Sequence, residues 1–495
     1  MKLKKHLYLF LVIAVLIINF IIRIVGVESS PNSVNWDEAS IGVNAKYLME
    51  TGRDEFGNKL PIYLKSFGDY KPALYAYLTI PFIKIFGLNQ FSVRLVSAIS
   101  GTLGLWGLFC LGGLFVKNKW LRLWWIIMAG LGPLRFHYSR VAVEANLALM
   151  WLTWGLYFWY KKRFKSGLIL FILGMMSYHS ARIVVPAFIF MSMWSPLNKR
   201  IDFKLVGYLI ISLVFLVWLT LSVSGSLNRF GSESLMRLWP FGQGGFLNQI
   251  YFAGFYLTGH LFSFINPNNW LNPAYEWLNN SVTYVAESGL LGMGMSILVL
   301  IGVFQIKDIF KKTEYQYLIY WFGVAMIPVV ITWNWFYPLR SLNALIVLEI
   351  LGLIGLQKMA QIKLVVWCLV FFVIWEAVYT VNNEYNYTNF KNYQGYQAMG
   401  IKEISNLIKD RKYSQIIVDT KQEHADIFYK FYLGLNNKIV FREIDWTKDL
   451  EIGEAILVSD ETSKAYMTDK YTKAKVQMIK SPLTSYYAAM VIETN

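Results

Sequence analysis

The chain has 495 residues, of which 56% are hydrophobic, 17% aromatic and only 16% charged. A soluble protein of this length needs more charge to cover its surface, so the composition places the chain in a membrane. The formal charge of +16 does not mark a nucleic-acid binder, because the clustered charge sits in short loops between apolar runs, where it encodes topology.

The N-terminus reads Met1-Lys2-Leu3-Lys4-Lys5, followed by an apolar run from about His6 to Val25. The run is too long for a signal peptide and shows no small-residue cleavage site, so it reads as a first spanning helix with its N-terminus inside. Further spans fall near 91–116, 120–136, 145–160, 166–179, 183–195, 205–222, 286–305, 315–332, 339–356 and 363–381. Cys110 and Cys368 both lie inside these runs, which argues against a disulfide framework or a zinc site. The basic connectors are Lys117–Arg122, Lys161–Lys165, Asn198–Lys204, Lys307–Lys312 and Lys358–Lys363. With about 11 transmembrane helices, all of them share the side of the N-terminus, as the positive-inside rule demands.

Three segments then lie outside. A loop over 28–90, with amphipathic stretches at 37–50 and 73–87, is too long for a mere connector and reads as interfacial helices. A second loop covers 223–285. The tail, 382–495, carries a helical stretch at Ala398–Lys409 and strand-like runs at Gln415–Asp419, Lys438–Arg442 and Ala455–Val458. The expected architecture is therefore an all-α polytopic membrane domain over 1–381 followed by a small extracytoplasmic α/β domain. The tail shows no glycine-rich phosphate loop and no nucleophile signature.

Five polar clusters fall on the outer side. The sharpest is Asn35-Trp36-Asp37-Glu38-Ala39, where two adjacent carboxylates follow a spanning helix. Helix capping explains such a pair in part. A carboxylate partly desolvated at an interface also suits a general base, and Asp37 is the candidate. Lys71, in Gly68-Asp69-Tyr70-Lys71-Pro72, either snorkels to headgroups or meets a departing phosphate. In His137-Tyr138-Ser139-Arg140, with Glu144 four residues on, Arg140 and Glu144 would share one face of a helix and pair. Arginine also forks onto phosphate or carboxylate. His179 and Arg182 mark a fourth outer helix end, and Trp333–Arg340 a fifth. Aromatic belts with snorkelling cations account for each of the last two alone. Scattered structural charges would have no reason to gather on one side, and that segregation points to a functional cavity.

Asn35-Trp36-Asp37-Glu38, then Lys71-Pro72-Ala73-Leu74-Tyr75, then Ser139-Arg140-Val141-Ala142-Val143-Glu144-Ala145-Asn146 resembles glycosyltransferase family 39, which includes protein O-mannosyltransferases and aminoarabinose transferases. Tyr178–Arg182 and Pro338-Leu339-Arg340-Ser341-Leu342 are similar to motifs of its bacterial members. The resemblance implies a GT-C fold and a polyprenyl-phosphate-linked monosaccharide as donor. It implies Asp37 as base with Glu38 in support, and Lys71, Arg140 and Arg340 on the donor phosphate. Tyr70, His179, Arg182 and Glu144 would assist, and Asp37 and Glu144 could jointly hold a divalent cation. The sequence departs from the family pattern at Ala73, where a second proline is usual, and at Tyr337-Pro338, where a histidine is common. The rival expectation is a lipid-linked-sugar transporter or flippase, which would place charges at the bilayer midplane and show repeats. The sequence names neither the sugar nor the envelope acceptor.

Overall fold

The computed structural model describes residues 2–195, 200–222, 246–266, 291–305, 315–332, 338–387, 399–409, 415–419, 425–434, 439–442, 455–459, 475–480 and 487–493. Trp333–Tyr337, the connector Lys307–Lys312 and most of the expected 223–285 loop lie outside these residues.

A long N-terminal helix, α1 (Lys2–Ile24), leads into a loop that carries α2 (Trp36–Thr51), a hairpin β1 (Tyr63–Ser66) and β2 (Asp69–Pro72), and α3 (Leu74–Phe86). Then come α4 (Gln90–Phe115), α5 (Lys119–Leu131), the short α6 (Pro133–Tyr138), α7 (Glu144–Tyr160), α8 (Phe164–Ser177) and α9 (Ala181–Ser192). A two-residue ladder of β3 (Trp194–Ser195) with β4 (Arg200–Ile201) precedes α10 (Val206–Leu221). Within the segment expected as a loop over 223–285, residues Phe246–Ile265 form a helix, α11. The membrane part closes with α12 (Met293–Phe304), α13 (Gln316–Ala325), α14 (Ile327–Val330), α15 (Pro338–Met359) and α16 (Lys363–Asn382).

Local chemistry sets the breaks. Asn35, Asn89 and Asn118 cap α2, α4 and α5 with side-chain oxygens on free backbone N–H groups, and Gly52 closes α2 in a left-handed conformation. Four helices among the described residues are long and apolar enough to cross a membrane: His6–Ile24, Gln90–Phe115, Phe203–Leu221 and Pro338–Met359. Shorter apolar helices pack against them. The contact of α12 with α15 depends on glycine. A Cβ on Gly302 would lie 2.1 Å from the Leu351 carbonyl oxygen, and one on Gly355 would lie 2.0 Å from that of Leu298. Small residues allow this backbone approach where lipid supplies no hydrophobic drive.

Beyond α16 follow α17 (Met399–Ile408), β5 (Gln415–Asp419), α18 (Ala425–Leu433), β6 (Ile439–Arg442), β7 (Ala455–Ser459), β8 (Lys475–Lys480) and β9 (Tyr487–Glu493). The five strands form one sheet in the order β6-β5-β7-β9-β8, with β5 parallel to β6 and β7, and β9 antiparallel to β7 and β8. This part does not stand apart from the membrane part. One apolar cluster joins Ala39, Val43 and Leu48 of α2, Tyr75 of α3 and Val93 of α4 to Ile401, Ile408, Phe428 and Phe431. The helix that starts at Trp36 is thus packed on one side by residues nearly 400 positions further along the chain.

Candidate active site

The site is built on the first turn of α2. Asn35 accepts from the Glu38 N–H at 2.9 Å, and Glu38 Oε2 accepts from the Asn35 N–H at 3.2 Å, a reciprocal cap that fixes where the helix begins. Adjacent residues then face different surroundings. Glu38 is fully buried, whereas the Asp37 side chain is 42% exposed.

Opposite Asp37 stands the hairpin. Its register pairs Ser66 with Asp69, so Phe67 and Gly68 make a two-residue turn with φ of 51° and 78°. Two positive φ values define the primed turn that suits strand twist and that Asn-Gly favours. A phenylalanine in the first position is strained by about 1–2 kcal/mol. From the second strand Lys71 reaches back, and its ammonium donates to Asp37 Oδ1. The Lys71 side chain is only 13% exposed, and its Nζ stands 5.6 Å from the centre of the Phe67 ring. Trp36 lies beside Phe67 with ring centres 6.2 Å apart.

The hairpin is supported by α8 and α9. His179 shares a 3.2 Å hydrogen bond with the Tyr70 carbonyl. Arg182 donates to the Met175 carbonyl at 3.2 Å and lies 4.8 Å over the Tyr63 ring. Tyr70 is half-buried and packs against the apolar core. Arg340 occupies the first turn of α15, half-buried.

Two buried arginines anchor the strap between α1 and α2. Arg94 forks onto Glu38, with Nε to Oε1 at 2.8 Å and Nη2 to Oε2 at 2.9 Å. It also donates to the carbonyls of Val27, Pro31 and Ser33 at 2.6–2.8 Å. Arg140 donates to the carbonyls of Ile22, Arg23, Val25 and Ser30 at 2.8–3.0 Å, so it caps the C-terminal end of α1. Its Nε is 3.5 Å from Glu384, which also contacts His137 at 3.0 Å, and the Tyr385 ring lies 4.4 Å beneath its guanidinium.

This geometry departs from the pairing that the spacing suggested. Arg140 is not on a helix with Glu144: it lies in the turn before α7, and its carboxylate partner is Glu384. The Arg140 guanidinium is wholly buried, and its two Nη groups donate to backbone carbonyls and to the Tyr385 hydroxyl. Glu38 likewise holds structure together, for it also accepts from the Ala142 N–H at 2.7 Å. Glu144 opens α7 near the same region: burial pushes the Tyr75 phenol up, and the charges of Glu38 and Glu144 push it the same way. In this structure the Asp37 carboxylate is held by the Lys71 ammonium. Among the described residues no three His, Cys, Asp or Glu side chains gather as a metal site.

Sequence reasoning passed over Arg94, Glu384 and the Arg135–Glu349 pair, which joins α6 to α15 with contacts of 2.7 and 2.8 Å. The signal was present in Arg94 and Glu349, single charges inside apolar helical runs.

No protein-family profile matches the chain, and no curated protein matches it. Its fold does have solved counterparts. ArnT from Cupriavidus metallidurans in the apo state superposes with a TM-score of 0.58 over 97% of both chains at 11% identity. The same protein bound to undecaprenyl phosphate gives 0.55, again over 97% of both, at 10% identity. Archaeal oligosaccharyltransferase AglB from Archaeoglobus fulgidus, in complex with an inhibitory peptide and a dolichol-phosphate, gives 0.51 at 11% identity, over 93% of this chain and 70% of its own. ArnT and AglB are GT-C glycosyltransferases, so the chain has the GT-C fold that the five sequence motifs implied.

Proposed function

We propose that this protein is a membrane glycosyltransferase that moves a monosaccharide from a polyprenyl-phosphate carrier to an acceptor on the extracytoplasmic face, with inversion at the anomeric carbon. The observation that carries the reading is the Asp37–Lys71 pair, an accessible carboxylate and a sheltered ammonium held at one point of a GT-C fold. The polyprenyl phosphates in the ArnT and AglB complexes support a carrier of that class.

The pair suits a single displacement. When a donor phosphate arrives, the Lys71 ammonium transfers its hydrogen bond from Asp37 to a phosphate oxygen, which frees the carboxylate. The acceptor hydroxyl or amine attacks the anomeric carbon from the face opposite the phosphate, and Asp37 takes its proton. The bond from anomeric carbon to phosphate oxygen breaks, its electron pair leaves on the carrier phosphate, and Lys71 meets the growing charge. One well-placed donor of this kind is worth about 3–4 kcal/mol of barrier. Arg340 is a second cation for the carrier. Glu38, Arg94, Arg140, His179 and Arg182 keep α2 and the hairpin in register and touch no reacting atom.

The test uses the full chain in nanodiscs with radiolabelled polyprenyl-phosphate sugar and an envelope extract. Asp37→Asn should bind the carrier and transfer nothing. Wild-type turnover in that variant would rule out Asp37 as base, and absence of transfer and of carrier binding in the wild type would rule out the enzyme.

A further inference from the structure

We infer that Trp36 and Phe67 form a stacking subsite for the sugar ring of the donor, an assignment that rests on the transferase reading. Phe67 occupies the first position of the primed turn at φ 51°, where asparagine or glycine sits without strain. A large ring is nevertheless held there, 36% exposed, beside Trp36 at 39%. The two rings meet at 57° with centres 6.2 Å apart and make an angled apolar corner rather than a flat stack.

The corner adjoins the reacting groups. Trp36 precedes Asp37 in the chain, and the Phe67 ring is 5.6 Å from the Lys71 ammonium that pairs with Asp37. A sugar whose anomeric carbon lies between Asp37 and Lys71 projects its ring towards these two aromatic faces. The less hydroxylated face of a pyranose presents C–H groups with partial positive charge, and the face of an aromatic ring is negative. Burying that face against Trp36 and Phe67 also removes apolar area from water. A lipid anchor would need only the right depth, which many aromatic side chains of a membrane protein reach. Neither a strained turn nor a position over the site's own cation serves that purpose.

The discriminating variant is Phe67→Asn, because asparagine suits the turn and removes only the ring. Binding is measured on the full chain in nanodiscs with bare undecaprenyl phosphate and with undecaprenyl phosphate bearing glucose, mannose or N-acetylglucosamine. The wild type should hold one sugar-bearing carrier more tightly than the bare one. Phe67→Asn should weaken that carrier about ten-fold, leave the bare carrier within about two-fold, and melt no lower than the wild type. Trp36→Ala should act alike, and Trp36→Phe should recover most of the loss. Equal weakening of both carriers, no weakening at all, or a wild type that holds no sugar-bearing carrier more tightly overturns the subsite alone. A wild type that binds no carrier overturns the transferase reading as well.

Discussion

Adjacent carboxylates Asp37 and Glu38 should fail in opposite ways when each is changed to its amide. Glu38 Oε1 accepts from Arg94 Nε at 2.8 Å and from the Ala142 N–H at 2.7 Å. Its Oε2 accepts from Arg94 Nη2 at 2.9 Å and from the Asn35 N–H at 3.2 Å. In Glu38→Gln one oxygen becomes an amide nitrogen, so whichever way the amide turns, two of these N–H groups face another donor. The Arg94 guanidinium also keeps its charge in a fully buried site without a counter-ion. Breaking one side of a buried pair in this way destabilises by about 3–5 kcal/mol. Asp37→Asn removes a partner from a pair that is 42% exposed on the aspartate side, where a pair contributes about 1 kcal/mol or less. Thermal melting of detergent-solubilised protein, followed by fluorescence-detected gel filtration, should show Glu38→Gln lower by on the order of 3–5 °C. Asp37→Asn should stay close to the wild type yet transfer no sugar. A Glu38→Gln protein that melts with the wild type, or an Asp37→Asn protein that melts as low as Glu38→Gln, would refute the division of labour between them.

Three further outcomes follow from the same structure. Lys71→Met should lower kcat by about 10²–10³-fold with little change in melting, measured with the labelled carrier, because it removes the charge that meets the leaving phosphate. Gly42→Ala places a Cβ 2.6 Å from the Phe431 ring and 2.9 Å from Leu88 and Val93. It should destabilise by about 1–2 kcal/mol after its gain in helix propensity, and Phe431→Leu in the same chain should restore the melting temperature. Lys402 donates to the carbonyls of Glu28 and Asn32, and burial, with Arg94 adding to it, pulls its ammonium down from 10.5 to about 8, against the opposing pull of Glu403 and Glu28. A base whose folded value is depressed binds fewer protons when folded, so its contribution rises with pH between about 8 and 10.5 and is flat below. The wild type should therefore gain melting temperature relative to Lys402→Met over that window, and parallel curves would remove Lys402 from the account.

The membrane character and the Asp37 and Lys71 positions were legible in the sequence because each is written locally: apolar length, a capping signature, a cation after a Gly-Asp turn. The bounds of α17, expected over 398–409 and observed as Met399–Ile408, and of β5 at Gln415–Asp419 follow from the same local periodicity. What remained hidden depends on distant partners. Spacing alone suggested Glu144 for Arg140, and only the folded chain brings Glu384, 244 positions away, against it. Glu38 looked like a support for the base Asp37 because nothing local announces Arg94, which reaches it from another helix. The helix at Phe246–Ile265 was masked in the sequence by Asn248, Gln249 and His260, which interrupt an otherwise apolar run.

The far end of the chain has a bearing on how the site comes into being. The Val34 N–H donates to Tyr432, and Phe431 closes over Gly42, so the wall of the reactive helix is translated some 390 residues after the helix itself. A nascent chain that already holds Asp37 and Lys71 has no Phe431 to pack on Gly42 of the same helix. A stop codon between positions 72 and 431 therefore leaves Asp37 and Lys71 encoded but α2 without the packing of Phe431 on Gly42.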